Sequence, residues 1–207
     1  MAPSHQPLSV LRCKVVVVGD ACCGKTALTQ VFCSGGATYP KNYVMTVGAE
    51  LTVRQVPIPE TNALVELFLF DCAGQSVFNQ VEMNSKYVRS DDLCDSRSPV
   101  CCQYENAAAV MVVFDIGSRE SFQACGKWLN SVRASRSGSG SKMIGVMVGN
   151  KRDFRADEGD DSRAEVDFAL ATRQAAEMGL QYFEASAAGN EGVEEPFRFI
   201  AQEFYAR

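Results

Sequence analysis

A short glycine-containing segment near the start of the chain has the residue types and spacing that bind phosphate. Residues 19–26 match the pattern G-x-x-x-x-G-K-[S/T]. The backbone N–H groups of such a loop fold around phosphate oxygens, and glycine relieves the steric cost of that conformation. Lys25 is expected to contact the terminal phosphates, and the Thr26 hydroxyl to reach Mg²⁺. The residues predicted to bind nucleotide here are Asp20, Ala21, Cys22, Cys23, Gly24, Lys25, Thr26 and Ala27.

This loop does not by itself name the nucleotide. Kinases of small molecules, ATPases and GTPases share it, and a glycine-rich turn beside an ordinary surface lysine is the purely structural alternative. A buried strand predicted before the loop, at 13–18, and an amphipathic helix predicted after it, at 27–33, favour phosphate binding.

A second motif could hold a metal and the last phosphate. Asp71 and Gly74 follow the apolar run 64–70. An Asp at the end of a strand beside a phosphate loop can hold Mg²⁺, here through a water. The Gly74 N–H is then expected to approach the γ-phosphate, and Gln75 to orient the attacking water as the catalytic residue. Thr46 is the candidate second hydroxyl on Mg²⁺; a threonine that merely precedes a strand is the equally weighted alternative.

Two polar segments later in the chain could recognise the base. The Asp153 carboxylate can accept hydrogen bonds from N1 and the 2-amino group of guanine, a donor pair that adenine lacks. Asn150 can link the base edge to the phosphate loop, and the Lys151 stem can cover the base. The Ala187 N–H is expected to meet the guanine O6. An ordinary polar turn is the alternative for the first segment. The residues predicted to bind the base are Asn150, Lys151, Asp153, Ser186, Ala187 and Ala188.

The order of apolar runs indicates the elements that hold these motifs. Strands are predicted at 13–18, 51–58, 64–70, 107–114, 143–149 and 182–185, and helices at 27–33, after Ser118, from Asp167 to Gly179, and at 193–205. This alternation predicts an α/β fold with a mostly parallel sheet, one antiparallel hairpin strand and helices on both faces. The motifs then lie at strand ends, where open α/β sheets bind ligands. We expect a flexible leader at 1–11 and one domain at 12–207, with an insertion loop at about 90–103.

The composition argues against several other classes of protein. The chain has 207 residues and a net charge of −5, without a basic patch, so we expect no binding to nucleic acid. Its apolar runs are too short to span a bilayer. The nine cysteines favour free thiols in a reducing compartment. A zinc site at Cys94, Cys101 and Cys102 is the less favoured alternative.

Together these motifs resemble those of the Ras superfamily of small GTPases, and of its Rab branch most closely, over residues 11–205. The resemblance implies a P-loop GTPase domain that binds GTP or GDP with Mg²⁺ and hydrolyses GTP. It also implies that Tyr39 covers the guanine and that Thr46 is the switch I threonine. Ala21 stands where Ras proteins have glycine, and its methyl group is expected to crowd the attacking water and slow hydrolysis. Ala188 replaces the family's lysine, so some packing on the base is expected to be lost.

Residues 56–61 and 65–71 look like those of the Rab-like subunit of the intraflagellar transport B complex. This resemblance implies protein transport in the cytoplasm and the cilium or flagellum. It also implies a heterodimer with a small β-sandwich partner subunit, and contact with other subunits of that complex. The sequence ends without a cysteine for prenylation, so we expect no direct lipid anchor. A nucleotide-stabilised scaffold with little turnover and a Rab-type regulator of vesicle traffic are the alternatives.

Overall fold

A six-stranded sheet flanked by helices forms the part of the chain that the computed structural model describes, residues 9–40, 42, 44–74, 104–135, 142–155 and 163–207. The strands are β1 (Ser9–Val18), β2 (Ala49–Pro57), β3 (Ala63–Cys72), β4 (Ala109–Asp115), β5 (Ile144–Asn150) and β6 (Gln181–Glu184). The α-helices of these residues are α1 (Lys25–Ser34), α2 (Arg119–Ala134), α3 (Phe168–Glu177) and α4 (Glu194–Tyr205), and Arg152–Arg155 forms a 3-10 turn.

The strand order is β2-β3-β1-β4-β5-β6. β2 and β3 form an antiparallel hairpin, in which Leu51 lies opposite Phe70. The other neighbouring strands are parallel. The predicted α/β fold, with one antiparallel hairpin strand in a mostly parallel sheet, is therefore confirmed. Because the parallel strands all point the same way, their carboxyl ends meet at one edge of the sheet.

Both faces of the central strands are buried. Along β1, Val15 and Val17 pack into the core beneath α1 and α4. Their neighbours Val16 and Val18 pack into the core beneath α2 and α3. Successive side chains of a strand point to opposite faces, so a continuous β-branched run suits a strand covered on both sides. Helices therefore lie on both faces, as predicted.

Local signals set several helix ends. The Ser118 hydroxyl accepts a hydrogen bond from the Ser121 N–H at 3.2 Å and begins α2. The Asp167 carboxylate accepts from the Ala169 and Leu170 N–H groups and begins α3. Both side chains satisfy backbone donors that lack a partner inside the helix. The helix starts predicted at Ser118 and Asp167 are confirmed, and both residues act as N-caps.

The first strand is longer than predicted. Residues 9–11, which we had assigned to the leader, belong to β1, and Ser9 pairs with Ala63 of β3. The sequence signal begins only at Cys13, because the outer end of β1 is partly exposed and its extension depends on the neighbouring strand. The rest of the predicted leader and the predicted insertion at 90–103 lie outside the described residues.

The described cysteines carry free thiols: Cys13, Cys22, Cys23, Cys33, Cys72 and Cys125. Among the described residues, no group of three or more His, Cys, Asp or Glu side chains could hold a metal. Cys94, Cys101 and Cys102, the alternative zinc ligands, lie outside those residues. No described helix is long and apolar enough to cross a membrane.

Candidate functional site

Four segments with predicted roles meet at the carboxyl edge of the sheet. The phosphate loop follows β1, Asp71 lies near the end of β3, Asn150 ends β5, and residues 186–188 follow β6. Neighbouring parallel strands bring these ends close together although they are distant in sequence. The fold therefore assembles one site from them.

The backbone of the phosphate loop requires its two glycines. Gly19 and Gly24 have positive φ angles of 148° and 85°. A Cβ at Gly19 would collide with the Val113 carbonyl oxygen, and a Cβ at Gly24 would collide with the Asn150 amide nitrogen. Gly24 also immediately precedes α1, so the loop leads into a helix N-terminus that favours anions. This is the geometry that the phosphate-binding interpretation needs.

Lys25 is held inside the loop. Its ammonium donates to the Asp20 carbonyl at 2.8 Å, and only 6% of the residue is exposed. Burial lowers the pKa of Lys25. A Cβ at Gly74 would lie 2.5 Å from both the Lys25 ammonium and the Ala21 N–H nitrogen. The turn after β3 therefore packs directly against the phosphate loop, and only glycine allows that approach.

Three oxygen-bearing side chains converge beside the place where the turn after β3 packs against the phosphate loop. The Thr26 hydroxyl donates to Asp71 Oδ2 at 2.5 Å, and the two threonine oxygens of Thr26 and Thr46 are 3.1 Å apart. Thr46 lies 3.5 Å from the same Asp71 oxygen. The structure thus brings together the three residues predicted to hold Mg²⁺.

The buried Asp71 carboxylate fits a cation. Asp71 is 2% exposed, and its Oδ1 atom has no hydrogen-bond partner among the described residues. Burial raises the pKa of Asp71, and the Thr26 hydrogen bond opposes that shift. A buried carboxylate oxygen without a partner is costly unless something compensates it. Hard oxygen donors are those that Mg²⁺ takes in proteins, so the residues present suit this ion.

Asn150 connects the two halves of the site. The phosphate half consists of residues 19–26 with Thr46, Asp71 and Gly74, and the base half consists of residues 150–153 and 186–188. Its side-chain N–H donates to the Cys23 carbonyl at 2.9 Å, and its Oδ1 accepts from the Ala187 N–H at 3.2 Å. The residue is 2% exposed. The predicted link between Asn150 and the phosphate loop is present. The Ala187 N–H, which we expected to meet the guanine O6, donates to Asn150 here, so the O6 contact stays a prediction.

Asp153 and Ser186 are also brought together. The Ser186 hydroxyl donates to Asp153 Oδ1 at 2.6 Å. Ser186 in turn accepts from the Gly189 N–H at 2.9 Å, so its orientation is set by its own turn. This arrangement holds one oxygen of the Asp153 carboxylate in place. Ala188, which stands where the family has lysine, is exposed.

Lys151 is positioned by a residue that the sequence did not single out. Its ammonium lies 2.6 Å from Asp115 Oδ2, and its backbone has a φ of 67°. Asp115 ends β4 and also accepts from the Gly117 N–H at 2.8 Å. An acidic residue at the end of a strand beside the site was the signal that could have found it.

Three further residues have predicted roles in the site. Gln75, the predicted catalytic residue, lies outside the described residues. Tyr39 is 50% exposed, and its role over the guanine stays a prediction. The Ala27 side chain packs into the core, which leaves its backbone as the part that could meet a phosphate.

Two further groups support the site and were missed by sequence reasoning. The Trp128 indole N–H donates to Asp20 Oδ1 at 2.7 Å. Arg155 donates to Glu184 through Nε at 3.0 Å and Nη2 at 2.7 Å, behind the base-binding segments. Both pairs join residues that are distant in sequence, and no local pattern announces either of them.

Known proteins are similar to this chain over nearly its whole length. The sequence model of the Ras family matches residues 14–94 and 98–206. The intraflagellar transport protein 27 homologues of Bos taurus and Homo sapiens are each 37% identical to it over 195 residues, covering 94% of this chain and 91% of theirs. Intraflagellar transport protein 27 of Chlamydomonas reinhardtii is 34% identical over 95% of this chain and 86% of its own. The chain therefore belongs to the Ras family of small GTPases, which bind GTP and GDP with Mg²⁺ and hydrolyse GTP.

Proposed function

We propose that this chain is a slow Rab-like GTPase that acts as a subunit of an intraflagellar transport B complex in cilia or flagella. The single observation that carries the nucleotide part is the buried Asp71 carboxylate beside Thr26 and Thr46, one oxygen of which has no hydrogen-bond partner among the described residues. The transport part is supported by similarity to proteins named intraflagellar transport protein 27 over 94% of the chain.

The phosphate half of the site is suited to bind the negatively charged phosphate groups of a nucleotide. The loop N–H groups and the α1 N-terminus attract phosphate oxygens, and Lys25 adds a positive charge in a desolvated position. Asp71, Thr26 and Thr46 would hold Mg²⁺, which neutralises phosphate charge when it is bound. Gly74 lies against Lys25 and Ala21, which supports the proposal that its N–H meets the last phosphate.

Guanine is selected by the paired loops after β5 and β6. Asp153, oriented by Ser186, would accept from N1 and the 2-amino group of guanine. Adenine offers no such donors, so its binding would leave a carboxylate without a partner. Lys151, held by Asp115, would place its stem along the base.

Hydrolysis is expected to be slow because of Ala21. A Cβ placed on Gly74 would lie only 2.5 Å from the backbone nitrogen of Ala21. We expect the extra methyl group of Ala21 to crowd Gln75 and the attacking water. This crowding also supports the alternative function, a scaffold in which bound nucleotide orders the loops and turnover is incidental.

A change of base preference tests the nucleotide assignment. Asp153→Asn is expected to weaken GTP binding by at least about a hundredfold, because an amide cannot accept both guanine donors. The same variant should gain affinity for xanthosine triphosphate, whose 2-oxo group accepts from the new N–H. Glu177→Gln, at an exposed helix position, is the matched control and should bind like the wild type. Unchanged GTP affinity in Asp153→Asn would refute the assignment.

Single-turnover hydrolysis separates the slow switch from the scaffold. If Gln75 orients the water, Gln75→Leu lowers the measured rate. If Ala21 crowds the same place, Ala21→Gly raises it. Rates that are equal in the wild type and both variants would favour the scaffold over catalysis by Gln75.

Affinity capture tests the transport part. The tagged chain, loaded with either GTP or GDP, is purified from ciliated cells and its companions are identified by mass spectrometry. We expect a small β-sandwich partner subunit and other subunits of the transport B complex. Recovery of vesicle-traffic proteins without any of these would instead favour a Rab-type regulator of vesicles.

A further inference from the structure

We infer that Trp128 of helix α2 is a positioning residue for the phosphate half of the site, an inference that rests on the proposed nucleotide binding. Its indole N–H donates to Asp20 Oδ1 at 2.7 Å. Asp20 is the second residue of the phosphate-loop pattern, whereas Trp128 lies on α2. The bond therefore connects the start of the loop to a separate helix.

The backbone of Asp20 lies against both Lys25 and Gly74. Its backbone carbonyl accepts the Lys25 ammonium at 2.8 Å. Its carbonyl carbon would lie 2.6 Å from a Cβ at Gly74. A rotation of the Asp20 peptide would therefore move the acceptor of Lys25 and the surface that Gly74 contacts. Trp128 opposes that rotation by holding the Asp20 side chain.

Helix α2 is a firm support for such a bond. Leu129, the next residue, is 1% exposed, and Val132 is fully buried in the same core. The Trp128 ring is half-buried, and the acceptor is a carboxylate, so the hydrogen bond is charge-assisted and stronger than one between neutral groups. The indole is rigid as well, which limits the loss of side-chain entropy.

The same helix also touches the base half. Near its start, the Ser121 hydroxyl accepts from the Asp115 N–H at 3.1 Å. Asp115 is the residue that pairs with Lys151 at 2.6 Å. Helix α2 thus holds Asp20 through Trp128 and Lys151 through Asp115. A displacement of α2 would loosen both halves of the site.

The test removes the donor and keeps an aromatic ring. Trp128→Phe is expected to release a fluorescent GTP analogue about tenfold faster, since a charge-assisted hydrogen bond has about that effect on an equilibrium. Release of the GDP analogue should be accelerated less, because the corner of Lys25 and Gly74 faces the last phosphate. Arg133→Ala on the same helix, which removes the hydrogen bond to the Met178 carbonyl, is the control and should leave both rates unchanged.

A double-mutant cycle distinguishes positioning from general packing. In an Asp20→Ala background, Trp128→Phe should accelerate release no further. Equal acceleration in both backgrounds would show that Trp128 acts without Asp20 and would overturn the inference. If Trp128→Phe fails to fold, Asp20→Ala removes the same bond from its other end and should show the larger effect on GTP.

Trp128 also offers a direct signal, since it is the chain's single tryptophan. Its fluorescence should change when GDP is exchanged for GTP in the wild type and should stay constant in Asp20→Ala. Wild-type protein that binds no guanine nucleotide would overturn the proposed function and this inference with it. Wild-type binding together with unchanged release from Trp128→Phe would overturn this inference alone.

Discussion

The Arg155–Glu184 pair behind the base-binding loops gives the sharpest test of how the site is supported. The Glu184 carboxylate accepts from Arg155 Nε at 3.0 Å, from Arg155 Nη2 at 2.7 Å and from the Tyr182 hydroxyl at 2.7 Å. These bonds raise the pKa of Arg155. Arg155 shares a 3-10 turn with Asp153, and Glu184 ends the strand that leads to Ser186. The pair therefore joins the same two segments as the Ser186–Asp153 hydrogen bond.

The cost of breaking the pair should depend on which partner is removed. Only 7% of the Glu184 side chain is exposed, compared with 29% for Arg155. Arg155→Met leaves a buried carboxylate with Tyr182 as its remaining side-chain donor among these contacts. Such a loss costs about 3–5 kcal/mol, and partial access of water to this position favours about 3 kcal/mol. For a chain of this size that lowers the melting temperature by about 6–12 °C.

Glu184→Gln should be milder, at about 1 kcal/mol, because the partly exposed guanidinium can turn to water. The double variant Arg155→Met with Glu184→Gln should be more stable than Arg155→Met alone, since the buried charge is then gone. Urea unfolding of the nucleotide-free proteins measures these differences. Release of bound GDP should be faster in Arg155→Met, as the loops that hold Asp153 and Ser186 separate more easily.

The order of the variants in stability decides whether the argument from burial is right. If Glu184→Gln proves more destabilising than Arg155→Met, the argument from burial is wrong. If the two substitutions simply add in the double variant, the two side chains do not interact as the distances indicate.

Three other predictions concern the metal, the link between the halves and the core. Thr26→Ala should remove the acceleration of GDP release that EDTA causes in the wild type, because the hydroxyl next to Asp71 is lost; an unchanged response to EDTA would place Mg²⁺ elsewhere. Asn150→Ala leaves the Cys23 carbonyl and the Ala187 N–H without this partner, which costs about 1–3 kcal/mol for each group. The urea midpoint should therefore fall and GDP release should be faster. If neither measurement changes, the prediction is contradicted. Burial raises the pKa of Cys13 to about 12, whereas the pKa of an unfolded thiol is about 8.5. The contribution of Cys13 to stability should therefore be fully present below about pH 8.5 and be lost as the pH rises toward 12. The decline should be smaller in Cys13→Ala, and equal declines in both proteins would refute the assignment to Cys13.

Much of the site follows from local sequence. The backbone of residues 19–26 needs glycine at two positions, and those glycines, with Lys25 and Thr26, stand in an uninterrupted motif. The hairpin of β2 and β3 and the caps at Ser118 and Asp167 are likewise specified by neighbours in the chain. Such features could be predicted because they depend on interactions between residues that are close together in the sequence.

Other features depend on which strands become neighbours. Thr46 gave two equal interpretations from sequence, and the proximity of Thr26 and Asp71 favours its role beside the metal. The extension of β1 to Ser9 depends on pairing with β3. Neither outcome follows from the residues on either side, because the decisive partner lies far along the chain.

By itself, then, the sequence determined the phosphate loop, the order of strands and helices, and the family to which the chain belongs. Tertiary structure alone decided that Trp128 holds Asp20, that Arg155 pairs with Glu184, and that the Ala187 N–H donates to Asn150. The physical reason is that local conformational preferences act between neighbours, whereas a hydrogen bond or ion pair between distant residues exists only after the sheet has placed its strands side by side.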